Sequence, residues 1–194
     1  MEPSADALSE EPLHPRQVLE RREREYLFGK TKVRMRSSIE NLDVGDFLIY
    51  KLAEGETPDL PRWVADELVG LNLAEAVEEP FEVEIFRALS REKMMGPLQL
   101  SVLPQDFYVR MKRRLGRLGD GVVEGKVRKE DLDKLKAGCY DLIGMRLSKL
   151  LSLSGSSAPA TSLADKLTPE ESAFFSLSQA LSKEWKAALL GGAK

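Results

Sequence analysis

Between residues 130 and 153 the apolar side chains Leu132, Leu135, Cys139, Leu142, Ile143, Leu147 and Leu150 recur at steps of mostly three and four. That spacing wraps one broad face of a helix far too long to be a strand. A stripe of this width must be covered, so the chain has to supply further amphipathic helices. Phe81 to Met95 reads as one, stopped before Gly96-Pro97. Pro104 to Leu118 reads as a second, with Phe107, Met111, Leu115 and Leu118 on one face. Thr168-Pro169-Glu170-Glu171 opens a last helix: Thr168 as N-cap, Pro169 in the first helical position, Glu171 closing a capping box. Phe174, Leu177, Leu181 and Trp185 are expected to form its buried face, and Gly191 to end it. Gly119 to Val127 reads as a glycine-rich connection, and 154–162 as a flexible linker. Four helices on such links predict an antiparallel bundle or a related α domain over residues 80–194.

The preceding stretch has a different period. Residues 1–15 hold three prolines and four acids and read as a disordered acidic tail carrying the one histidine, His14. Gln17 to Phe28 predicts a short basic helix. Lys32-Val33-Arg34-Met35-Arg36 alternates as a strand does. Phe47 to Leu52 is β-prone between turn sequences, Arg62 to Val69 is a two-turn amphipathic helix, and Leu73 to Val77 returns as a strand. Residues 16–79 thus predict a basic helix and a small β-rich unit, too small to be stable without a neighbour. The expected class is α+β, a small β-rich N-terminal domain followed by a larger all-α helical bundle.

Composition narrows the chemistry. One Cys and one His among 194 residues supply neither a disulfide nor a Cys- or His-rich metal site. Cys139 lies in an apolar stripe and reads as a small buried hydrophobe. No phosphate-cradling glycine loop and no Gly-x-Ser-x-Gly is present. Nine acids in 54–82 lack the spacing of a calcium loop. A non-enzymatic protein without cofactor or metal is expected. No apolar run is long enough to span a bilayer, and Met1 to Glu11 lacks the apolar core of a secretory signal, so a cytoplasmic setting is expected.

The net charge of −3 hides a division. Residues 16–36 and 110–117 are basic, and 54–82 is acidic. Arg110, Arg113, Arg114 and Arg117 form either a solvated helix face or a contact for a phosphate backbone or an acidic partner. The opposite charges also suggest complementarity between subunits. Trp63 joins the arginines as a candidate partner or DNA contact. Phe107, Tyr108, Met111, Leu147, Leu150, Phe174 and Phe175 are the candidate subunit-interface residues. Neighbouring aromatics cannot share one helix face, so one of each pair should point outward.

The order of these pieces carries a resemblance. Leu60-Pro61-Arg62-Trp63-Val64-Ala65 in the β-rich unit precedes Leu103-Pro104-Gln105-Asp106-Phe107-Tyr108. Asp141-Leu-Ile-Gly-Met-Arg-Leu-Ser-Lys-Leu150 and Leu167-Thr168-Pro169-Glu170-Glu171 follow. Over roughly residues 25–190 the chain resembles the β-domain-first subunit of the GINS replication complex, in its archaeal form, related to the eukaryotic Psf-two and Psf-three subunits. The resemblance implies a scaffold in a heterotetramer, two copies with two of an α-domain-first paralogue. It would hold the MCM replicative helicase together with a RecJ-like, Cdc-type partner at the fork, with at most weak DNA contact. The alternative is a stand-alone nucleic-acid-binding or adaptor module using 16–36 and 110–117.

Overall fold

The computed structural model describes residues 14–44, 47–49, 51–155 and 163–191. Residues 1–13 and 156–162, which hold most of the expected tail and linker, lie outside the described residues. The described chain is mostly helical, with a small three-stranded antiparallel sheet. Its elements in order are α1 (Pro15–Phe28), β1 (Lys30–Met35), β2 (Leu42–Val44), β3 (Phe47–Ile49), β4 (Asp59–Pro61), α2 (Arg62–Gly70), β5 (Ala74–Ala76), α3 (Phe81–Met94), α4 (Phe107–Val123), α5 (Lys129–Ser154), a 3-10 turn (Ala164–Lys166) and α6 (Pro169–Leu190).

Helix α1 begins earlier than the sequence suggests. The His14 Nδ1 accepts from the Arg16 amide at 3.3 Å, and the Gln17 side chain accepts from the His14 amide at 3.2 Å. His14 is therefore a helix cap rather than part of a loose tail, and Pro15 occupies the first turn, where its missing N–H costs nothing.

β1 is the centre of the sheet, in the order β4-β1-β5. Its first half pairs with β4, Lys30 opposite Pro61, and its second half with β5, Met35 opposite Ala74. Alternation sends Val33 and Met35 inward, and α2 lays Val64, Ala65 and Leu68 on them. Leu52, Leu60 and Ala74 complete this small core. Of the expected strand Phe47 to Leu52, the described residues give β3 paired with β2, and a single bridge from Leu52 to Ile39.

The main helical core joins Phe81, Ile85 and Ala88 of α3, Phe107, Met111 and Leu118 of α4, and Leu132, Leu135, Cys139 and Leu142 of α5. Burial pushes the Cys139 thiol up to about 11, as befits an inert side chain. A second cluster, Leu100, Leu150, Leu153, Leu163, Leu167 and Phe175, seats the start of α6.

Three sequence expectations change here. The glycine-rich stretch 119–127 is not all connection, because α4 continues to Val123. Gly121 is needed there for space: a Cβ on it would stand 2.7 Å from Val127, whose amide folds back to the Gly121 carbonyl. The bundle is also not purely antiparallel. Arg146 meets Glu171 and the Gly155 carbonyl meets Lys186, so α5 and α6 run in the same direction. Finally, Leu181 and Trp185 are not on a buried face: they are 68% and 65% exposed, and Phe175 takes the inward position.

Candidate functional site

The centre of the site is a charge cluster inside the helical region. Arg146 of α5 is 1% exposed and Glu92 of α3 equally so. The guanidinium donates to Glu92 Oε2 at 2.8 Å, to Glu171 Oε2 at 2.7 Å, and to the Ser101 carbonyl at 2.8 Å. Lys149 donates to the other Glu92 oxygen at 2.7 Å, and the Tyr108 hydroxyl donates to Glu171 Oε1 at 2.7 Å. The Glu171 carboxylate also accepts from the Thr168 amide, closing the capping box foreseen from sequence.

Burial alone would raise the Glu92 carboxyl, but Lys149, Ser101 and Arg146 together hold it below its ordinary range. Burial would likewise strip Arg146 of its proton, and Glu171 reverses that. The Tyr108 hydroxyl is pushed well up, first by burial and then by Glu171. Every side chain of the cluster is thus partnered by opposite charge or hydrogen bonds, which is the condition under which buried charge is tolerated.

Sequence reasoning missed this cluster, although a signal exists. Arg146 continues the stripe Leu135, Cys139, Leu142, and Glu92 continues Ile85, Ala88. Opposite charges standing on two apolar stripes have to meet when those stripes pack.

Beside the cluster lies an open apolar groove of about 480 Å³ between α1, α4, α5 and α6. Its walls include Leu19, Met111, Leu115, Ile143, Leu147 and Phe174. The seven interface candidates divide around it. Phe107 and Phe175 are interior and have no free surface, which corrects them as partner anchors. Met111 and Leu150 are core residues whose edges line the groove, so they too are mostly consumed by packing. Tyr108, Leu147 and Phe174 line it with accessible surface, and Leu147 is 39% exposed. The aromatic pairs do split, with Phe107 and Phe175 inward and Tyr108 and Phe174 toward the groove.

Along α6, Phe174, Leu177, Leu181 and Trp185 share one face. The groove face therefore runs on into an exposed stripe. Leu189 extends it, and residues 183–191 are all exposed. Lys186 bonds the Gly155 carbonyl at the end of α5, so the last turn of α6 projects past its neighbour.

The basic candidates behave otherwise. Arg110 pairs with Glu84 at 2.5 Å and Arg114 with Glu82 at 2.7 Å, while Arg113 and Arg117 both pair with Asp66 of α2. Their partners come from the acidic side of the same chain, so the complementarity expected between subunits is satisfied within one. Tyr26 of α1 sits in this seam, with the Arg62 guanidinium 4.1 Å above its ring, and burial pushes its hydroxyl up to about 12. Arg62 in turn holds the Glu78 carboxyl below its usual range. Trp63 is half-buried against the β-rich core rather than presented as a free contact.

Among the described residues no group of His, Cys, Asp and Glu side chains is placed to hold a metal ion, and no helix is long and apolar enough to cross a membrane. No protein-family model matches the chain, and comparison with curated proteins gives no match. What the arrangement offers chemically is adhesion: an apolar groove, a projecting apolar helix end and a rigid charged anchor behind them.

Proposed function

We propose that the chain is a non-enzymatic scaffold subunit of a GINS-type DNA replication complex, of the archaeal β-domain-first kind. In this reading residues 16–79 are the β-rich domain and 80–194 the assembly domain. The chain joins an α-domain-first paralogue as two plus two, and the complex holds the MCM helicase with a RecJ-like partner in the cytoplasm.

One observation carries the reading. The α-domain segments that resemble the family converge: Tyr108 from 103–108, Arg146 from 141–150 and Glu171 from 167–171 meet in one buried cluster. Residues that look like scattered motifs are thus parts of one structural joint, which anchors the helices carrying the groove and the exposed stripe. The exposed Leu181, Trp185 and Leu189 supply apolar surface of the kind a stable subunit interface uses.

The reading is tested by coexpression with such a paralogue and mass measurement. A species near four chains is expected, and it should be lost in Trp185→Glu. A chain that stays at 21.7 kDa beside the paralogue refutes it. The nucleic-acid alternative has less support, because the arginines of 110–117 already pair with acids of this chain. It requires binding to forked DNA that falls steeply with salt.

A further inference from the structure

The groove holds a carboxyl group that nothing in the described structure bonds. Glu170 lines it, is only 8% exposed, and both its carboxylate oxygens are out of solvent with no bonding partner among the described residues. The neighbouring rim cations are engaged elsewhere: Arg16 with Glu20 at 2.9 Å and Lys112 with Glu23 at 2.7 Å. Arg146 is held by Glu92 and Glu171. The first turn of α6 favours a carboxylate at this place, but it does not replace a counter-ion for a group shielded from water. An apolar trough with one buried, unpaired carboxylate is complementary to an apolar surface carrying one cation.

We propose that this groove is the docking site for an amphipathic helical segment of a different protein, whose apolar side chains fill the trough and whose lysine or arginine pairs with Glu170. The dimensions suit a helix. The groove side chains of α5, Ile143 to Leu150, extend about 10 Å along their axis, close to two helical turns. Charge discriminates among occupants. Residues 1–13 of this chain carry four acids and no Lys or Arg, so they would bring like charge to Glu170. A second copy offering its exposed α6 stripe, Leu181, Trp185 and Leu189, would bring no cation on that face to meet Glu170. A foreign segment with a cation satisfies both halves of the site. This inference stands on the groove and Glu170 and holds whether or not the replication reading does.

The test uses the full chain and labelled helical peptides of two to three turns with a leucine stripe. A series walks Lys, Gln or Glu along the flank of the stripe, and binding is read by fluorescence anisotropy. In the best register the Lys peptide should bind about tenfold tighter than the Gln peptide, and the Glu peptide should be weaker still. Glu170→Gln should flatten that order and Glu170→Lys should invert it. Leu147→Arg, at a half-exposed position, should abolish binding while leaving the thermal transition in place. Absence of binding across the series overturns the proposal, as does a charge order that survives Glu170→Gln. Two other results also overturn it. A dimer in sedimentation that Leu147→Arg abolishes gives the groove to a second copy. Slow hydrogen exchange in residues 1–13, released by added peptide, gives it to the chain's own head.

Discussion

Replacing Arg146 by Met is the sharpest test of how the helical region is held together. The substitution keeps the length of the aliphatic stem and removes the guanidinium. Glu92 keeps Lys149 and the Ser101 amide and hydroxyl. Glu171 keeps the Tyr108 hydroxyl and the Thr168 amide, but it loses Arg146, its one cation among the described residues. Removing one member of a buried ion cluster typically costs about 3–5 kcal/mol, because the remaining charge stays desolvated. That is a large part of a stability on the order of 5–15 kcal/mol. For a chain of this size it lowers Tm by roughly 6–20 °C.

The dependence on pH separates this mechanism from simple loss of packing. In the wild type, Glu92 is held below its ordinary value of 4.5. Its contribution is therefore complete above that value and is lost as pH falls through the lower folded one. In Arg146→Met an uncompensated buried carboxylate charge opposes folding, and protonation relieves it. Lowering the pH from about 7 to about 5 should then return part of the loss. Urea melts from about pH 7 to about pH 5 measure the second effect, and melts continued to about pH 3 measure the first. Adding Glu171→Gln to Arg146→Met should restore most of the stability, since no charge at that position is then left unpaired. A loss below about 1 kcal/mol, or a double variant no steadier than the single, would refute the reasoning.

Three further outcomes are expected. Gly119→Ala should raise stability by about 0.5–1 kcal/mol, because that helical position faces open space. Gly121→Ala should instead lower it by about 1–3 kcal/mol through the Val127 contact, and paired thermal melts distinguish the two. Thr168→Ala removes the acceptor for the Glu171 amide and should cost about 1 kcal/mol in a urea titration. The seam between α2 and α4 rests on half-exposed ion pairs, so salt should loosen it. Proteolytic cleavage near 78–80 should accelerate as sodium chloride rises, and Asp66→Asn should reproduce that rate at low salt.

The main helices were legible because they obey one rule at long range. The stripe from Leu132 to Leu150 and the Thr168–Glu171 cap lie on α5 and α6 as read. What was not legible depended on tertiary contact. Gly121 looks like a breaker until Val127 is seen against it. Trp185 satisfies the helical spacing of a core residue, but α5 has ended where the core would have to be. The site was half legible. Tyr108, Leu147 and Phe174 could be named from aromatic pairing and periodicity. Glu170 could not, since its place in the groove depends on α1, α4 and α5 standing beside α6, which the sequence does not bring together locally.

The fate of the charges ties these points together. A division into basic and acidic stretches first suggests a protein that meets its partners electrostatically. In the structure the arginines of α4 and the acids of α2 and α3 neutralise one another, and the Arg146 cluster does the same in the interior. Satisfied pairs at fixed geometry add rigidity and register but offer little to a partner. In the proposed docking the recognition surface is what remains: the apolar groove, the projecting end of α6, and the unbonded carboxylate of Glu170. An interface built this way takes its affinity from apolar area and its selectivity from one buried ion pair. Its binding should therefore be nearly insensitive to salt, while the α2–α4 seam in the same molecule is not.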